Sequence, residues 1–238
     1  MSRSGRKASA VGGRSGGRWA VGVSEVERPK VALSGAGLDH SELEMRYTIL
    51  DTETTGLDPL QSTIIEIAIW TVEDGKVVDR WATKVKPSRQ DLALAQKVAL
   101  EKNGYSANPE AWAGAPSWLD IAPTVARKLR KTMPVGHAVH FDLSMIRACM
   151  ERYQLEEWTP FRGLDTMALA IEHLSPLGLR SFSLDRIRQW FGWSLEGAHT
   201  AEQDVADCYR LFRLLHQAGP MTRARIRAGR WWRGRSKR

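Results

Sequence analysis

The apolar run Tyr47, Thr48, Ile49, Leu50 ends in two carboxylates, Asp51 and Glu53, within the stretch YTILDTETTGLDP. Side-chain direction along a strand has a period of two, so both acids would leave the same face. Like charges so placed repel, and the pair calls for a cation or for solvent. Mg²⁺ suits it, because that ion prefers carboxylate and phosphate oxygens and keeps several waters. A strand running into a polar turn accounts for the same residues, so the pair by itself does not decide. The segment VGHAVHFD adds Asp142 at the start of a helix, where it either faces the sheet edge or serves as a cap or first-turn acid. The segment GAHTAEQD adds His199 and Asp204, five positions apart. With Asp204 on a helix and His199 in the loop or first turn before it, both reach one site; taken singly, His199 reads as a cap or surface imidazole.

Positioning these residues requires elements that bring distant segments together. Arg46 to Asp51 reads as a short strand, and STIIEIAIWTVED as a β-branched, buried second strand. Asp74 and Gly75 turn that strand into KVVDRWATKVKP, which alternates. Three strands with tight connections imply an antiparallel meander. DLALAQKVALEKN then predicts one helix ended by Asn103 and Gly104, and WLDIAPTVARKLRK a helix beginning after Pro123. A fourth strand ends near Gly136, and DLSMIRACMERY forms an amphipathic helix. A fifth strand over Phe161 to Asp165 leads into TMALAIEHL, with Asp165 placed to cap that helix. Ser183 caps a helix that Gly192 stops. A long helix follows HTAEQD, and Gly219 with Pro220 ends the folded body. Strands first, then alternating helix and strand, describe a mixed α/β sheet with helices on its faces.

The chain has 238 residues, 42% of them hydrophobic, enough for one sizeable core flanked by tails. No uninterrupted apolar run approaches the roughly 18 residues that a membrane-spanning helix needs. The first 24 residues carry Arg and Ser without an acid, yet no apolar stretch of a secretory signal follows them. An organellar transit peptide shares that composition, although the glycines there oppose an amphipathic helix. The two cysteines, Cys149 and Cys208, fall in helical segments without a partner at metal-ligand spacing, which points to buried thiols and a reducing, cytoplasmic setting. The net charge of +8 divides as +2 over residues 1–45, −2 over 46–217 and +8 over 218–238. Residues 1–45 thus read as a disordered, basic Gly/Ser/Arg-rich tail, 46–219 as the folded domain, and 220–238 as a basic tail. That last tail interleaves arginines with Trp231 and Trp232, a composition suited to phosphates and bases, or simply to solvent.

The ordered set Asp51 and Glu53, Asp142, then His199 and Asp204 resembles the DEDDh, or DnaQ-like, family of 3′-to-5′ exonucleases, which includes proofreading subunits and RNase T-like enzymes. DTETTGLD matches the first motif of that family, GHAVHFD is similar to its second, and HTAEQD fits its third; the likeness runs over residues 46–217. It implies a ribonuclease-H-like fold and a two-metal site. Asp51, Glu53, Asp142 and Asp204 would supply carboxylates to two divalent cations, Mg²⁺ or Mn²⁺. His199 would be the general base that takes a proton from the attacking water. Thr52, Thr54, Thr55, Gly56 and Leu57 would line the pocket of the terminal nucleotide, with a hydroxyl or N–H on the 3′-OH and Leu57 against the last base. Phe141 either stacks on a base or packs under the sheet.

Two positions depart from the family pattern. His137 is followed by Ala138 where many relatives carry Asn, and His140 stands where a small residue or Asn is usual; neither removes an expected ligand. The leading expectation is hydrolysis at the 3′ ends of single-stranded or frayed DNA, in proofreading or repair, with a DNA polymerase as an implied partner and the oligomeric state left open. Trimming of RNA ends is a second reading. A third is a binding module that keeps the fold without catalysis, which the retained acids disfavour, since clustered carboxylates repel phosphate unless metals intervene.

Overall fold

In the computed structural model, residues 45–155 and 160–216 are described, with 221, 222, 224, 226 and 228 beyond them. The expected tail over residues 1–45 lies outside the described residues except for Met45. Five strands form one sheet in the order β3-β2-β1-β4-β5. They are β1 (Tyr47–Thr54), β2 (Ile64–Glu73), β3 (Lys76–Lys84), β4 (Met133–Gly136) and β5 (Leu164–Asp165). β1 is central. It pairs antiparallel with β2 and parallel with β4; β2 pairs antiparallel with β3, and β4 parallel with β5. This is the mixed, ribonuclease-H-like sheet the sequence implies. The β2–β3 turn is Asp74-Gly75, both at positive φ (48° and 69°), as a two-residue hairpin requires.

The β-branched run of β2 is buried from Ile64 to Val72, because helices cover both faces of the sheet there. One layer of core joins Leu50, Ile67 and Ile69 to α3 (Trp118–Leu129) and α4 (Val139–Arg152). The opposite layer joins Ile49, Ala68 and Val135 to α7 (Ala201–Leu215). Helices α5 (Thr166–Leu174) and α6 (Leu184–Phe191) close a third cluster against α7 through Ala170, Ile187 and Leu211.

Five boundaries differ from the sequence expectation, one of them the start of α4, which lies at Val139 and not at Asp142. β1 runs on to Thr54, so Asp51 and Glu53 both lie within the strand. The helix expected over DLALAQKVALEKN is broken into α1 (Arg89–Ala93) and α2 (Lys97–Lys102). At the break, Gln96 N–H donates to Thr55 O at 2.7 Å, a bond to the β1–β2 loop that a continuous helix could not make. α3 begins at Trp118 rather than after Pro123; the Ser117/Asp120 capping box and the buried Trp118, Ile121 and Ala122 outweigh the hydrogen bond that Pro123 removes. β5 is only Leu164–Asp165, and Phe161 lies 73% exposed beneath the Arg147 guanidinium.

Packing also continues past Gly219-Pro220, where the sequence ends the folded body. Met221, Thr222, Ala224, Ile226 and Ala228 are helical, and Ile226 is buried in the cluster containing Leu211 and Leu215. The rest of the basic tail, including Trp231 and Trp232, lies outside the described residues. Among the described residues no helix is long and apolar enough to cross a membrane.

Candidate active site

The five residues singled out by type and spacing line one cavity of about 360 Å³: Asp51, Glu53, Asp142, His199 and Asp204. Each comes from a short-range rule. Asp51 and Glu53 share a face of β1, and a register shift beside Glu53 marks a bulge at this end of the strand. Asp142 is in the first turn of α4, where it is buried, and its Oδ1 accepts from both the N–H (2.9 Å) and the hydroxyl (2.7 Å) of Thr52. Asp204 is in the first turn of α7, whose N-cap is Thr200. The start of α7 is pinned to the sheet because Glu66 Oε1, on β2, accepts from Ala201 N–H at 3.1 Å. His199 precedes the cap at φ 68°, with its backbone N–H donating to Asp204 Oδ1 at 3.2 Å.

Crowding acids in a protein interior raises their proton affinity. Burial, followed by repulsion from Asp142, Asp204 and Glu53, holds Asp51 well above the usual carboxylate range. Burial and then Asp204 and Glu66 push Glu53 up to about 8, with Lys102 opposing. Burial raises Asp142 to about 7 against the two Thr52 hydrogen bonds, which favour its ionised form. Such a set is electrostatically frustrated until a cation enters. Glu53, His199 and Asp204 offer ligand atoms that all lie within 4.8 Å of one another, so the donor set fits a divalent metal ion. His199, assigned from the sequence as a base, is thus also within reach of that ion.

The expected nucleotide pocket divides into two kinds of residue. Leu57 (72% exposed) and the partly buried Phe141 line the cavity and can meet a base. Phe141 also packs against the α3/α4 core, the packing alternative for it. Thr52 and Thr54 line the cavity too, but their hydroxyls are committed, Thr52 to Asp142 and Thr54 to Gly56 O at 2.7 Å. Thr55 is fully buried; its Oγ1 accepts from Thr63 N–H at 2.9 Å, which corrects its expected place at the cavity surface. Gly56 is buried against the Gln96 side chain, and a Cβ there would meet Ser62 Oγ at 2.7 Å and Gln96 Cδ at 2.9 Å. The Thr55-Gly56 pair therefore builds the turn that holds the cavity rim, because the break between α1 and α2 packs onto it.

Other cavity residues carried no local signal. Gln96, Val98, Lys102 and Asn103 reach the cavity only because of that helix break, and Asn103 Nδ2 donates to Thr54 O at 3.0 Å. Lys102 also lines an adjoining cavity of about 210 Å³ with Asp51, His137, Asp185 and His199. His137 Nε2 donates to Phe182 O (2.7 Å) and Nδ1 faces Thr166 Oγ1 (3.0 Å); burial lowers its pKa and keeps it neutral. Ala138, where Asn was missing from the pattern, adopts φ 69°, a left-handed conformation Asn tolerates better than Ala. Arg188 is wholly buried beside Asp204. Burial works against its charge, but the hydrogen bonds it donates to Asp207, Asp204 and Asp185 more than offset that and raise its pKa. Cys149 and Cys208 are buried thiols whose pKa burial raises, in line with the non-catalytic role their spacing suggests.

A mixed sheet whose central strand delivers two carboxylates to a cavity closed by acids from two helices is a ribonuclease-H-like scaffold carrying a candidate divalent-metal site. The exonuclease family profile, RNase_T, matches residues 48–212, and the chain belongs to that family. The chain is 29% identical over 191 residues to a DNA polymerase III PolC-type protein of Thermotoga petrophila, a match covering 80% of this chain and 13% of that protein. It is 27% identical over 166 residues to the DNA polymerase III subunit epsilon of Treponema pallidum, covering 70% of this chain and 74% of that one. A match to the 3′-5′ exonuclease DinG of Staphylococcus aureus is 25% identical over 166 residues, covering 69% and 17%. Thus the chain spans only a small part of its PolC-type relatives. Among solved structures, the E. coli exonuclease I–ssDNA complex shares the fold with a TM-score of 0.64 at 20% identity, over 76% of this chain and 42% of that one.

Proposed function

We propose that the chain is a divalent-metal-dependent 3′-to-5′ exonuclease that hydrolyses phosphodiester bonds at single-stranded or frayed DNA ends and releases 5′-mononucleotides. The observation that carries this reading is the meeting of Asp51, Glu53, Asp142, Asp204 and His199 in one cavity, from three separate stretches of sequence. Asp51, Glu53, Asp142 and Asp204 would hold two divalent cations, Mg²⁺ or Mn²⁺. When bound, these supply Lewis-acid stabilisation to the attacking and leaving oxygens of an in-line displacement. His199 takes the proton of the attacking water. Leu57 and Phe141 receive the terminal base, and the Thr55-Gly56 turn keeps the rim in place. Lys102 offers the cavity a positive charge for the phosphate next to the scissile bond. The DNA preference is supported by the names of the polymerase III and exonuclease I relatives, and the former also support a polymerase as a partner. The basic tail over 220–238 would add phosphate contacts outside the site.

The test is degradation of 5′-labelled single-stranded DNA and RNA with Mg²⁺ or Mn²⁺, using wild type, Asp51→Ala and His199→Ala. A 3′-to-5′ ladder on DNA, reduced about 10²–10⁴-fold in His199→Ala as loss of a general base requires and absent in Asp51→Ala, supports the proposal. Undiminished degradation by Asp51→Ala overturns it. A ladder on RNA with intact DNA moves the substrate to RNA, and intact substrates of both kinds with retained binding indicate a non-catalytic module.

A further inference from the structure

A single guanidinium joins the proposed base to a proposed metal ligand. Arg188, on α6 with a side chain that is 0% exposed, donates from Nη2 to Asp204 Oδ1 (2.6 Å), from Nη1 to Asp185 Oδ1 (2.9 Å) and from Nε to Asp207 Oδ2 (2.8 Å). Its planar fork fixes all three carboxylates at once, which a lysine ammonium could not do. The second oxygen of Asp185, Oδ2, lies 3.3 Å from His199 Nε2. His199 thus has two neighbours in this set: its backbone N–H donates to Asp204, and its ring Nε2 lies within ion-pair distance of Asp185. Asp185 is also a first-turn acid of α6, favourable at a helix N-terminus, but that role does not require its far oxygen to meet an imidazole in the loop before α7. The pair is too exposed to matter much for stability, Asp185 being 38% and His199 26% exposed at the side chain.

We propose that Asp185, locked by Arg188, is a positioning residue for His199: it accepts the Nε2 proton and leaves Nδ1 as the nitrogen free to take a proton from water. The tautomer of a histidine is set by the hydrogen bond its other nitrogen makes. Asp204 benefits from the same lock. With Oδ1 engaged by Arg188 and by His199 N–H, Oδ2 is the oxygen left for a cation. Sequence gives no hint of the arrangement, because Asp185 and Arg188 read as the polar face of an amphipathic helix.

This inference rests on the reading of His199 as the base, and the Asp185→Asn substitution separates the two. Asn keeps the shape and an oxygen for Arg188, but presents an N–H toward His199 Nε2. That nitrogen must then act as acceptor, and the ring proton moves to Nδ1. The expected result is a fall in kcat of about 10–100-fold, the range for losing an outer partner of a site histidine. KM and the Mn²⁺-induced rise in Tm stay as in wild type. Two-dimensional ¹H–¹⁵N NMR above the pH range of histidine titration should show wild-type His199 protonated on Nε2 and the variant on Nδ1. Arg188→Lys should lower kcat by a similar factor and leave His199 a mixture of tautomers. A kcat within twofold of wild type, or an activity loss with the wild-type tautomer retained, overturns the inference. An inactive wild type that carries the Nε2 tautomer, lost in Asp185→Asn, would instead overturn the exonuclease reading and leave the positioning role standing.

Discussion

Chelated protein should lose stability as pH rises from about 6.5 to about 8, the reverse of what paired carboxylates give. Glu53 and Asp142 have folded-state pKa values of about 8 and about 7, above their ordinary 4.5 and 3.8. In this window the unfolded chain has already ionised both, whereas the folded state still holds protons. Stability therefore falls with pH while the folded state gives them up, and the loss tails off only about a unit above the Glu53 value, with Asp51, also raised, adding to it in the same sense. Integrating the two titrations over that window gives about 2 kcal/mol, or a Tm lower by about 4–8 °C for a domain of this size. The depressed pKa of His137 acts with the opposite sign, but below the ordinary value of 6.5, outside the window. The assay is thermal unfolding followed by circular dichroism in EDTA at several pH values, repeated with saturating MgCl₂. Mg²⁺ should raise Tm most at the alkaline end, where it enters a fully ionised site, and Glu53→Gln should remove most of the slope. A Tm in EDTA that is flat or rises between these pH values would refute the electrostatic account of the cavity.

Two further contrasts test how the rim and the second-motif turn are built. Leu57→Ala should raise KM for a short oligonucleotide about fivefold, as roughly 1 kcal/mol of apolar contact is lost, with Tm unchanged because the side chain is 72% exposed. Thr55→Val, by contrast, strands the Thr63 N–H and should cost about 1–3 kcal/mol in urea unfolding; an equal Tm for wild type and Thr55→Val would return Thr55 to the cavity surface. Ala138→Gly should stabilise by about 0.5–1 kcal/mol by relieving the left-handed conformation. Ala138→Asn should do the same, and a loss of stability in both would mean the turn at 138 carries no strain.

The chemistry-bearing residues were legible because local rules place them. Alternation in β1 puts Asp51 and Glu53 on one face. The helix start in HTAEQD puts Asp204 in a first turn, and Asp165 and Ser183 cap the helices they precede, whereas α4 begins at Val139, ahead of the Asp142 at which the sequence starts it. The β-branched run of β2 and the Asp74-Gly75 turn were equally readable, being fixed by burial on two faces and by backbone sterics. Where the sequence failed, a long-range contact had overridden a local preference. Good helix formers over 91–103 do not show that Gln96 will leave the helix for Thr55 O, and that exchange brings Lys102 and Asn103 to the cavity.

By itself, then, the sequence determined which acids and which histidine could act together, because their order and spacing survive without knowledge of distance. Only the tertiary structure decided what each does. It turned Thr52 into the donor for Asp142 and Thr55-Gly56 into a buried turn, and it set one buried guanidinium between Asp204 and the carboxylate that meets His199. The reason is physical: hydrogen-bond geometry and burial depend on atoms from β1, α4, α6 and α7 within a few ångströms of one another, and no pattern along one segment records that proximity.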